Sequence, residues 1–242
     1  MRRGLLAGIG GAGVLAAAAL LPATADASPG HGTTRSAPRH AASQSPREGS
    51  VSAADLLAKV EHCKQISNGK YKKDEDGSPS VPVCDTKSAV FWKADMDIDC
   101  DGQRTEQCNK DTDPAYQDDT AFHTSDDKPL DAAKTPYVVV PGKSDIWDFG
   151  KSGIKGGGVV AVIKGDEVEY AAVGDTGPEE AIGEASYATA KSLGVNPDPA
   201  NGGAESGVTY IAFKNSGTDA IEDHGKTAEL GDGLAKKFVG AN

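Results

Sequence analysis

Two stretches of the sequence hold residues whose types and spacing could do chemistry. Residues 174–186 read GDTGPEEAIGEAS, with carboxylates at Asp175, Glu179, Glu180 and Glu184. Asp175 follows an apolar run and sits between Gly174 and Thr176-Gly177, where a sharp turn is expected. Glu184 follows Gly183 and opens a segment of small residues, Ala185, Ser186 and Ala188. The loop between them could fold both acids around one cleft. Two carboxylates flanking one bond are what glycoside hydrolysis requires: one protonates the leaving oxygen, and the other activates water or attacks the sugar carbon. A turn aspartate and a capped helix have the same spacing, so the pattern alone leaves both readings open.

The second stretch is SAVFWKADMDIDCDG. Val90, Trp92, Ala94, Met96 and Ile98 alternate with Lys93, Asp95, Asp97 and Asp99. This period of two predicts a strand over 88–99 with one face in the core and a row of carboxylates on the other. Like charges two residues apart repel, so water or a cation must screen them. The calcium-loop pattern is not met. Counted from Asp97 the twelfth position is Cys108 rather than Glu, and counted from Asp95 the sixth is Cys100 rather than Gly. A solvated edge and calcium remain alternatives, and a cationic ligand is the preferred reading. Nucleophile and phosphate-loop motifs are absent, and His62, His123 and His224 have no evident partner spacing.

The elements that must position these residues are mostly strands. Apolar runs at 137–141, 158–164, 168–173 and 208–213 read as strands, the middle two joined by a hairpin at Gly165-Asp166. Helices are expected over 52–66, over 184–193 ending at Gly194, and over 226–238. The fold class is mainly β (α+β), one sheet or barrel with a few peripheral helices.

The N-terminus carries Arg2-Arg3, an apolar stretch closing at Pro22, and Ala25-Asp26-Ala27, the layout of a secretory leader over 1–27. The paired arginines also resemble a twin-arginine export signal. Residues 28–50 lack aromatic and large aliphatic side chains and are expected to be a disordered linker or pro-region, leaving 51–242 as the folded domain. From residue 51 onward there are 20 basic and 34 acidic residues, a net charge of −14. Such a surface repels nucleic acid and anionic membranes and attracts cationic partners. In an exported chain, Cys63, Cys84, Cys100 and Cys108 imply disulfides. The sequential pairing, Cys63 with Cys84 and Cys100 with Cys108, closes the shorter loops.

The segments AVFWKADMDIDCDG, YQDDTAFHTSDDKPLDA, VVVP and AAVGDTGPEEAIGEASYATAKSLGVNP resemble the secreted chitosanases of glycoside hydrolase family 75 over roughly residues 60–220. The resemblance implies an endo-acting, inverting hydrolase of β-1,4 glucosamine linkages in chitosan, with no metal and no cofactor. It also implies Asp175 as general base and Glu184 as general acid, separated by about 6.5–9.5 Å to admit a water. A helix N-terminus at Glu184 and a cationic substrate would both lower its pKa, so the reverse roles stay open unless burial or nearby acids raise it. Asp95, Asp97 and Asp99 are the expected partners of glucosamine ammonium groups, with Tyr116, Asp118 and Asp119 as weaker candidates; Trp147, in a polar stretch of sequence, is the candidate stacking platform, with core burial as the alternative. The GDTG word is also similar to a segment of double-psi β-barrel lytic transglycosylases, which makes a six-stranded, double-psi-like β-barrel the expected fold. A secreted monomer is expected. The alternatives are a non-catalytic polysaccharide- or polycation-binding module and a peptidoglycan-cleaving barrel enzyme.

Overall fold

The computed structural model describes residues 48–74 and 76–241. The leader over 1–27 and most of the 28–50 segment lie outside the described residues. The elements in chain order are α1 (Ala53–Ala58), β1 (Lys64–Gln65), β2 (Cys84–Asp85), β3 (Ala89–Asp99) and β4 (Tyr137–Pro141). After a single 3-10 turn come β5 (Val159–Lys164), β6 (Glu167–Gly177), β7 (Glu184–Ser186), α2 (Tyr187–Ser192), β8 (Ala204–Phe213) and α3 (His224–Gly240).

Six strands close on themselves in the order β3-β7-β4-β6-β5-β8, and β8 pairs back onto β3. Closure leaves no free edge among them over most of their length. Alternation decides which side chains fill the barrel. Val90, Trp92, Ala94, Met96 and Ile98 point inward with Val138, Val140, Val160, Val162, Ala171, Val173, Ala185 and Tyr210. The opposite residues of β3, β5, β6 and β8 pack under α1 and α3, where Phe91, Ile163, Tyr170 and Ile211 meet Leu56 and Phe238. Both helices cover one outer flank, while α2 and the loop around Leu130 cover the β7–β4 side, where the Thr189 hydroxyl donates to the Tyr137 carbonyl.

The disulfides are Cys63–Cys84 and Cys100–Cys108. The first explains why α1 stops at Ala58 rather than continuing to 66. Lys64–Gln65 pair with β2 beside the Cys63–Cys84 bridge, so the second half of the periodic run becomes a strand. The folded part also starts earlier than residue 51. The Glu48 N–H donates to the Val168 carbonyl, and Ser50 donates from both its backbone N–H and its hydroxyl to Asp232 Oδ1, each at 2.8 Å.

Two further differences bear on the site. The segment expected as one helix over 184–193 splits. Glu184–Ser186 pair with β3 and β4, and the helix begins only after Ser186, whose hydroxyl accepts from the Thr189 N–H as N-cap. Likewise β6 does not end before Asp175 but runs on to Gly177.

Candidate active site

Strand register brings the two acids of the GDTGPEEAIGEAS segment together. Val139 on β4 is the partner of Asp175 on β6 and of Glu184 on β7, and Glu184 is in turn the partner of Asp97 on β3. Registered residues on neighbouring strands face the same side. The order Asp97, Glu184, Val139, Asp175 is therefore one row across four strands, on the outer face of the barrel. Two strand spacings separate Asp175 from Glu184, about 9.5 Å at the backbone.

Asp175 reaches this face only because β6 bulges. Val138 pairs with Val173 but Val139 pairs with Asp175, so Gly174 is the extra residue. Without it, the alternation that buries Ala171 and Val173 would carry Asp175 into the barrel interior. The bulge turns it outward. Glycine is required there, since a Cβ would sit 2.5 Å from Tyr137 Cβ and 2.7 Å from Leu130 Cδ1. Gly183, in the left-handed region at φ +126°, performs a second close approach: a Cβ would lie 2.2 Å from Asp95 Oδ1. Its carbonyl accepts the Asp97 N–H at 2.8 Å, which locks the start of β7 against β3.

The two acids have different environments. Glu184 is held by burial, then by Asp97, Asp101 and Asp175, up to about 8. It lies on a strand, so no helix N-terminus opposes this. Asp175 is also raised by burial, but the Ala121 and Thr176 N–H groups, donating to its Oδ1 at 2.8 and 2.7 Å, pull it back. Asp99, buried beside Glu184, is raised well above the usual carboxylate range by burial and then by the Glu184 charge. Asp101 is pushed to about 6 by burial, with the Gln117 N–H donating to it.

A cleft of about 630 Å³ opens over the Asp97–Glu184 end of this row, lined by Asp97, Asp99, Asp101, Asp113 and Glu184 together with Lys73. Asp175 is not part of the lining. Its carboxylate lies behind it, within 4.8 Å of those of Asp99 and Asp101, a spacing at which a hard cation could also be held. A second such group is Asp74, Asp95 and Asp97.

The expected binding residues divide. Asp97 is exposed in the cleft, but Asp95 and Asp99 are buried, so the carboxylate row is not the solvated edge that alternation suggests. Gly183 and its loop cover Asp95, which burial, then Asp97 and Asp74, raise to about 7. Tyr116 is buried with its hydroxyl donating to the Gly102 carbonyl at 2.7 Å, a structural role. Asp118 and Asp119 are exposed outside the cleft lining, and Asp119 pairs with His123 at 2.8 Å. Trp147 is no stacking platform. It is 6% exposed in the core, 6.2 Å from the Trp92 ring, with Nε1 donating to Ser152. Asp101 and Asp113 line the cleft without being among the residues expected from the sequence; the DCDG spelling is the available signal for Asp101, and Asp113 has none.

The family model described as fungal chitosanase of glycosyl hydrolase group 75 matches residues 96–240, a span that holds every carboxylate of the row and cleft. Endo-chitosanase B of Aspergillus oryzae (strain ATCC 42149 / RIB 40) is 30% identical over 181 residues, covering 68% of this chain and 72% of that protein. An endo-chitosanase of the same strain is 33% identical over 147 residues, 56% of this chain and 58% of that protein. One from Aspergillus fumigatus is 30% identical over 189 residues, 72% and 78% respectively. By the family match and these relatives, the chain belongs to the chitosanases of glycosyl hydrolase group 75.

Proposed function

We propose that this chain is a secreted, endo-acting chitosanase that cleaves β-1,4 glucosamine linkages with inversion. Glu184 is the general acid and Asp175 the general base. The observation that carries this reading is the registered row with its two unlike environments. A carboxyl raised to about 8 keeps its proton at neutral pH, while one anchored by two backbone N–H groups ionises more readily. Glu184 hands its proton to the glycosidic oxygen as the bond to the anomeric carbon breaks. Asp175 takes the proton of the water that attacks from the opposite face. Two strand spacings between the acids support a gap wide enough for that water, and so inversion rather than a covalent intermediate.

Chitosan carries ammonium groups, and a cleft with five carboxylates and one lysine complements them. Asp97 is the best placed to bind an amine directly. Both proton transfers use carboxyl groups, so chelators are expected to leave turnover unchanged. Two disulfides fit an oxidising, extracellular compartment, consistent with a leader over 1–27, and we expect a monomer.

One observation favours a second assignment of the base. Asp101 lines the cleft and Asp175 does not, so Asp101 could activate the water with Asp175 behind it. Asp101→Asn and Asp175→Asn distinguish the two, the larger loss of kcat marking the base. The function itself is tested by digesting soluble chitosan and reading reducing ends and the anomer formed at early time. New α-anomeric ends support the proposal, and β-anomeric ends overturn inversion. Binding without new reducing ends would indicate a binding module, and cleavage of cell-wall sacculi instead of chitosan a peptidoglycan enzyme.

A further inference from the structure

The end of β6 remote from Asp175 carries a second cluster that the hydrolysis does not use. Glu169 lies six residues before Asp175, about 20 Å along the strand. Its partner across the hairpin, Val162, faces the barrel interior, and Glu169 itself is 5% exposed. His224, the first residue of α3, brings Nε2 to 3.3 Å from Glu169 Oε1 and 2.8 Å from Glu48 Oε1. One atom from each of Glu48, Glu169 and His224 lies within 4.8 Å of the others.

We propose that Glu48, Glu169 and His224 form a binding site for a divalent transition-metal ion of the zinc type. Three observations support it. The donor set of one imidazole nitrogen and two carboxylate oxygens suits zinc, cobalt or nickel better than calcium. The spacing is close to what an ion needs. Bonds of about 2.0–2.2 Å in a tetrahedron put ligand atoms about 3.3–3.6 Å apart, which the His224–Glu169 contact of 3.3 Å already meets, while the 2.8 Å His224–Glu48 contact has to open by about 0.5–0.8 Å to admit an ion. Third, Glu169 Oε1 is buried and accepts no well-formed hydrogen bond, its cationic neighbour being His224 Nε2 at 3.3 Å, so a nearly inaccessible carboxylate oxygen is aimed into the cluster. The outer contacts also orient a ligand, since the Tyr170 N–H donates to Glu48 Oε2 at 2.7 Å and turns Oε1 toward His224 at the centre. An ion there, completed by water, would tie the segment at residue 48 to β6 and to the start of α3. The role is structural and separate from the catalytic row.

The test uses untagged protein stripped with chelator. Calorimetric titration with Zn²⁺ is expected to show one ion per chain, and Co²⁺ to give the visible absorption of a low-coordinate site. At 100-fold excess over Kd, Tm should rise by about 5–10 °C. His224→Ala and, in case that variant folds poorly, Glu48→Gln should each weaken uptake tenfold or more, while Asp97→Asn leaves it intact. No stoichiometric uptake by the wild-type protein overturns the site. So does uptake unchanged in both site variants, or uptake lost in Asp97→Asn, which would move the ion to the acidic cleft.

Discussion

Glu184 and Asp175 are both buried carboxyls in an acidic surrounding, and what separates them is hydrogen bonding. Asp175 accepts two backbone N–H groups on one oxygen, whereas the neighbours of Glu184 are other acids. The pH dependence follows with a definite sign. Activity rises as Asp175 loses its proton, above the ordinary aspartate value because burial raises it, and falls as Glu184 loses its proton near pH 8. After burial, Asp97 is the largest cause of the high Glu184 value. Asp97→Asn should therefore move the alkaline limb of kcat/KM to lower pH, by roughly half a unit to one unit. It should also raise KM by removing a partner for a substrate amine. An alkaline limb that stays in place would assign that limb to another group.

At the scale of elements, the site depends on one bulge and one short strand. Gly174 turns Asp175 outward, and the three residues of β7 hold Glu184 between Asp97 and Val139. Gly174→Ala introduces a methyl 2.5 Å from Tyr137 Cβ in close packing. The expected cost is about 1–3 kcal/mol, read as a lower urea midpoint, with activity falling further than stability because Asp175 is displaced. An equally active variant would show that the bulge is not needed. These two devices also mark what was legible in the sequence. Strands with a strong pattern of their own, such as the apolar run Tyr137–Pro141 and the alternating Ala89–Asp99, are visible in their own residues. The strand at Glu184–Ser186 is not, because three residues gain that state from partners on β3 and β4, while their small side chains suit a helix equally well. The bulge is invisible for the same reason: Gly174 reads as a turn until β4 fixes the register. Trp147 failed because a polar sequence neighbourhood says little about burial by residues far along the chain. The His224 cluster, whose partners are at 48 and 169, carries no local signal at all.

For the whole molecule, charge and disulfides set the expected behaviour. A domain of net −14 facing a polycation should bind it less well as salt rises, so KM for chitosan should increase severalfold between about 0.05 and 0.5 M salt with kcat little changed. A flat KM would remove steering by charge from the account. Cys63–Cys84 and Cys100–Cys108 bridge sequence separations of 21 and 8 residues, and reducing both should cost about 2–4 kcal/mol in stability. The second bridge starts between Asp99 and Asp101, so its loss should affect turnover before global unfolding. The measurement that tests the central claim most directly is single-turnover chitosan cleavage by Glu184→Gln and Asp175→Asn, each checked for native circular dichroism. Each folded variant should lose about 10³-fold or more in kcat, of the order removal of a general acid or base produces. Turnover within tenfold of wild type in either variant would contradict the role assigned to that residue.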